Sequence, residues 1–97
     1  MANFNEEFLE KVFRESSEWF EGLDVVDKRG DTFLLEVNIG GSYNHFDCTE
    51  KTFRKDAKEF ARKLKSELTH YSDEDEYYSL THAIECFENI AKRKDIK

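Results

Sequence analysis

The chain has no proline, four glycines and two cysteines in 97 residues. Without proline and with little glycine, a long flexible or polyproline linker is excluded. A chain of this length holds one core, so a single compact domain over residues 1–97 is expected. Cys48 and Cys86 are too few for a disulfide framework. No long uninterrupted apolar run is present, so no helix is expected to span a bilayer. The opening MANFNEEF has neither the basic nor the apolar region of a signal peptide, and a reducing, cytoplasmic setting is the expectation. Positive charge is also in deficit. A formal net charge of −7 excludes attraction to nucleic acid or an anionic membrane by the overall field and favours a basic protein surface. The plain alternative is that acidity keeps a small protein in solution.

Aromatic residues are plentiful at 14 %, nine of them Phe, against a low hydrophobic total of 38 %. A few large side chains must therefore supply much of the buried area. In residues 4–21, Phe8, Leu9, Val12, Phe13, Trp19 and Phe20 recur at helical spacing, with Asn3 and Glu6 as a capping box and Gly22 as a stop. The period then changes to two. Leu23–Asp27 forms a short strand, followed by the turn Lys28-Arg29-Gly30-Asp31. In TFLLEVNI, Phe33, Leu35, Val37 and Ile39 share one face, with Leu34, Glu36 and Asn38 on the other. Gly40–Gly41 marks a hairpin into a third strand, Ser42–Cys48. A second helix is predicted over 49–71, capped by Thr49 and inward at Phe53, Ala57, Phe60, Leu64, Leu68 and Tyr71. A third covers 73–93, inward at Tyr77, Leu80, Ile84, Phe87 and Ala91. The fold class is α+β, in the order α-β-β-β-α-α: a three-stranded antiparallel meander with three amphipathic helices on its apolar face.

Charge is uneven along the chain. Residues 1–31 hold nine acids against four bases, and residues 72–97 seven against four. Residues 49–71 reverse the balance, with seven bases against four acids. The basic stripe of Lys51, Arg54, Lys55, Lys58, Arg62, Lys63 and Lys65 could meet an anion, but few aromatics accompany it to stack bases. A solvated face with partners such as Glu59–Lys63 is the simpler expectation. On the first helix, Glu7, Glu10, Arg14, Glu18 and Glu21 are expected in a row, neighbours about 4.5–6 Å apart along the axis. With Asp24, Asp27 and Asp31 nearby, such a row could approximate one edge of a duplex, whose phosphates repeat every ~3.4 Å per strand. An ordinary solvated helix face is the alternative. Asp73, Glu74, Asp75 and Glu76 follow Ser72, a candidate cap, and acids in a first turn suit the helix dipole. Four in succession exceed what capping needs, leaving a surplus for binding.

His45-x2-Cys48 and His82-x3-Cys86 have roughly the spacing of zinc ligands. Parity opposes it: His45 and Cys48 fall on opposite strand faces, and His82 is placed toward solvent with Cys86 partly exposed. No P-loop, GxGxxG or HExxH occurs, and no orienting group or oxyanion loop accompanies Cys86 and His82. No catalytic residue, metal or cofactor is expected.

In length, acidity, lack of proline and helix–meander–helix–helix order, the chain resembles the small DNA-mimic inhibitors carried by phages, most of all type I-F anti-CRISPR proteins. The resemblance implies binding to the large and backbone subunits of a crRNA-guided CRISPR surveillance complex, in the cytoplasm of the bacterial host. There the inhibitor, as a monomer, would block recruitment of the target duplex without touching nucleic acid itself. It assigns the contact to Glu7, Glu10, Glu18, Glu21, Asp24, Asp27 and Asp31 with Asp73, Glu74, Asp75 and Glu76. The rival is a non-enzymatic phage or host adaptor with a mixed or apolar binding surface.

Overall fold

A computed structural model describes residues 4–70 and 73–96. The order is α1 (Glu6–Ser16), β1 (Phe20–Arg29), β2 (Thr32–Ile39), β3 (Ser42–Thr49), α2 (Phe53–Glu67), a 3-10 turn at Leu68–His70, and α3 (Glu74–Lys92). The strands form one antiparallel sheet in the order β1-β2-β3, so the α+β meander with α-β-β-β-α-α order is the fold.

Helix α1 is shorter than its sequence pattern predicts. Asn5, not Asn3, caps it: its side chain accepts a 2.9 Å hydrogen bond from the Phe8 N–H, an interaction worth about 1 kcal/mol. Asn3 itself lies outside the described residues, as do Tyr71 and Ser72. At the other end, Ser16 turns its hydroxyl back onto the Val12 carbonyl at 2.7 Å. The Ser17 hydroxyl then accepts from the Trp19 N–H at 3.0 Å, the kind of local bond that competes with a helix. The chain leaves the helix there and Phe20 starts β1, so Trp19 is half exposed and outside the core. Gly22 is a strand residue. Strand β1 carries two bulges, between Phe20 and Gly22 and between Val25 and Asp27. Each extra residue shifts the parity of the strand beyond it.

The core lies between one sheet face and the three helices. Phe33, Leu35, Val37 and Ile39 of β2 point into it with Phe46 and Cys48 of β3. Phe13, Phe46, Phe53 and Phe87, one from each of α1, β3, α2 and α3, are fully buried against one another. Phe13 meets Phe87 edge-on at 5.5 Å and Phe46 meets Phe87 at 4.9 Å between ring centroids, within the range where such pairs add to burial. This cluster ties four separate elements of the chain to one point.

The helix cap expected at Thr49 is used differently. Thr52 precedes α2, its N–H donates to the Thr49 hydroxyl at 3.1 Å, and its own hydroxyl donates to Asp56 at 2.6 Å. Tyr77, predicted inward, is exposed and Ala91 is half-buried, while Phe60 and Leu68 are half-buried and pack against the core as predicted. The β2–β3 turn needs its glycines, since Gly40 and Gly41 have φ of +61° and +86°, a conformation that costs other residues about 1–2 kcal/mol. Ser79 of α3 donates to the Gly40 carbonyl at 2.9 Å and fixes that turn beneath the helix.

Candidate protein-binding surface

All three helices pack on the inner face of the sheet, and no described residue covers the outer one. The register sets the composition of that outer face. Asp24 of β1 sits directly opposite Glu36 of β2, and Glu36 opposite His45 of β3. One row further on, Leu34 lies between Asp27 on one side and Asp47 on the other. Beyond the Asp24–Glu36–His45 row come Gly22, Asn38 and the exposed Tyr43. Adjacent strands are about 4.8 Å apart and same-face residues repeat every ~6.8 Å. Four carboxylates therefore crowd a patch one strand spacing to either side of β2. Like charges directly opposite on a sheet destabilise it.

Neutralisation within the patch is partial. Arg29 holds Asp27 at 3.0 Å, and that bond, with the Lys28 N–H, keeps the Asp27 carboxyl below its ordinary value. His45 Nε2 lies 3.8 Å from Glu36. Asp24 and Asp47 form no ion pair among the described residues.

The remaining sequence candidates are not gathered here. Glu7 is exposed on the first turn of α1, and Glu10 is half-buried and paired with Arg14 at 2.9 Å. Glu18 lies in the turn after the helix and Glu21 is the extra residue of the first bulge, so the expected row along one helix does not form. Asp31 sits in the β1–β2 turn. Asp73 caps α3 through a 2.9 Å bond from the Asp75 N–H, with Glu74, Asp75 and Glu76 exposed beside it. Ser79 on Gly40 places that helix start at the β2–β3 turn, the opposite end of β2 from Asp31. The eight residues of β2 separate these ends by about 25 Å. Glu36 and Asp47 are readable as outward by strand parity. The register that sets them beside Asp24 and Asp27 has no local signal.

Basic residues are densest on α2, while Lys28 and Arg29 lie at the end of β1. Lys58, Arg62, Lys65 and Lys92 line a groove of about 400 Å³ between α2 and α3, where Lys65 pairs with Glu88. The expected Glu59–Lys63 pair is not formed. The outer sheet face is thus acidic, and of the three helices only α2 has an excess of basic residues.

The thiols and imidazoles are dispersed. His45 points outward and Cys48 inward. Cys86 is fully buried, not partly exposed, with Sγ 3.9 Å from the Phe13 carbonyl. His82 is half-buried against Trp19 rather than open to solvent. Among the described residues no three His, Cys, Asp or Glu side chains gather as metal ligands. Burial, reinforced by Asp56 and Asp47, pushes the Cys48 thiol up to about 12. Burial and Glu85 do the same to Cys86. Neither thiol is a thiolate near neutral pH.

No family model matches the chain, and no curated protein or solved structure matches it.

Proposed function

We propose that this chain is an acidic inhibitor that binds a basic, DNA-binding site of a partner protein through the outer face of its sheet. A CRISPR surveillance complex is the partner to which the resemblance in size, charge and element order points. The observation that carries the reading is the carboxylate patch of Asp24, Asp27, Glu36 and Asp47 on an uncovered face, with Asp24 directly opposite Glu36 in the register. The two cross-strand rows that carry the carboxylates lie about 6.8 Å apart, which matches two phosphate steps along a duplex. They would take the place of phosphates in charge-assisted pairs with Arg and Lys. Attraction between the acidic face and a basic channel would speed encounter, and the affinity would fall as salt rises. Leu34, flanked by Asp27 and Asp47, supplies the apolar centre that such a contact needs.

The adaptor reading draws on a different observation. Tyr43, Tyr77 and Tyr78 are exposed, and a partner held by them would tolerate changes of charge. One experiment separates the two. Binding to purified type I-F surveillance complex is measured at low and high salt, with target duplex as competitor. The inhibitor reading expects salt-sensitive binding that excludes the duplex, lost by at least about tenfold in Asp24→Lys/Glu36→Lys. Binding that survives both salt and charge reversal supports the adaptor. No binding at low salt rejects the surveillance complex as the partner.

A further inference from the structure

Trp19 is the chain's single tryptophan and is 52 % exposed. Single exposed aromatics are common on protein surfaces, so exposure alone marks no site. This one, however, is anchored. Its main-chain N–H donates to the Ser17 hydroxyl at 3.0 Å, and its main-chain carbonyl accepts from the Gly40 N–H at 2.8 Å. One face of the indole lies on the His82 ring, with centroids 4.3 Å apart and planes 24° from parallel. Beneath them, Asn89 Nδ2 donates to the Ser16 carbonyl at 3.0 Å and locks α3 to the end of α1. The exposure therefore belongs to the other face and edge of a ring whose main chain is anchored and whose first face is stacked.

That ring borders a groove of about 390 Å³ between the end of α1 and the middle of α3. Carboxylates of Glu15, Glu18 and Glu85 line it, together with Arg14. Arg14 is taken up by Glu10 at 2.9 Å and lies over the Phe20 ring, while Glu15 is held by Arg93 at 3.1 Å. Glu18 and Glu85 form no ion pair among the described residues and leave the groove negative.

We infer that this groove is a docking notch for an arginine side chain of a basic protein partner. A guanidinium stacks flat on the free indole face, where a cation is attracted by the ring quadrupole. Its N–H groups reach carboxylates at the rim, a geometry that a lysine ammonium cannot reproduce. Because the Trp19 main chain is anchored and its ring is already stacked on His82, less ordering is left to do on binding. The negative rim repels the phosphates of nucleic acid. The notch lies apart from the sheet patch and rests on the proposed function only in needing a basic partner.

Trp19 fluorescence reports the site alone and requires no surveillance complex, so its outcome is separate from that of the partner assay. The probes are tetra-arginine, tetra-lysine and tetra-citrulline peptides and a thymidine oligonucleotide, at low salt. The expected result is a saturable change with the arginine peptide, at least about threefold weaker with lysine and absent with citrulline. Glu18→Gln/Glu85→Gln should weaken the arginine response by about five- to tenfold, while Glu50→Gln, an exposed residue in the turn between β3 and α2, leaves it intact. Equal responses to arginine and lysine would reduce the notch to a general field effect. A response to citrulline or to the oligonucleotide, or none to arginine, would overturn it.

Discussion

The two faces of β2 show how differently one segment can be constrained. Phe33, Leu35, Val37 and Ile39 alternate with Leu34, Glu36 and Asn38 along the same eight residues. The inner set is buried against three helices and has to be apolar, branched or aromatic, and of fitting volume. The outer set is only partly covered by its strand neighbours and meets no helix. Packing leaves it free, yet it belongs to a patch of four carboxylates spread across two strand pairs. The inner face records what folding requires. The outer face departs from what folding would select, which is why function is sought there.

The largest effect should come from breaking the inner side. Phe87 is fully buried and touches the rings of Phe13, Phe46 and Phe60. Phe87→Ala should cost about 3–5 kcal/mol, enough to unfold much of a small domain. Leu34→Ala on the outer face should cost under about 1 kcal/mol. Urea unfolding of both variants tests the contrast. Similar losses would mean that the outer face is packed against something.

The next effect concerns the core's chemistry. Cys48 and Cys86 ordinarily titrate at 9.0 and are pushed up to about 12 in the folded chain. The raised folded values mean that the thiols' contribution to stability is complete below pH 9. It is lost as pH climbs toward 12, because the unfolded thiols ionise first. The loss should approach ~1.4 kcal/mol per thiol for each pH unit in that window. Melting temperature followed from pH 8 to 11 should fall less steeply in Cys48→Ala/Cys86→Ala than in the parent, even though that variant starts lower. Parallel slopes would show that burial does not hold the thiols protonated.

The same contrast explains what is legible in the sequence. Element order is legible because α2, β2 and β3 have clean periods, and the parity of β2 names its buried residues correctly. The junction of α1 and β1 is not. Trp19 and Phe20 happen to continue the helical spacing, and the bulges at Glu21 and Val26 break the alternation that would announce a longer strand. Cys86 is buried although it lies off the main apolar stripe of α3, because both α1 and α2 cover that helix over a broad arc. Of the acids, Asp24 and Asp27 are legible as candidates, but not their company. Which carboxylates meet depends on cross-strand register, a long-range property set by turns and bulges that local pattern does not carry.

The smallest effect bears most directly on function. If Asp24 and Glu36 repel each other, removing one charge should stabilise the fold. Asp24 has no ion-pair partner among the described residues, so Asp24→Asn removes the repulsion and little else. The gain should be about 0.2–1 kcal/mol, or roughly 1–6 °C in melting temperature for a domain of this size. It should shrink in 1 M salt, where the screening length falls to about 3 Å. Binding to a basic partner should weaken in the same variant. A stabilising change that damages binding is the signature of a residue kept for its contact and not for the fold. A neutral or destabilising Asp24→Asn would mean that the crowded carboxylates cost nothing. The patch would then be an ordinary solvated surface, with no claim to be the binding face.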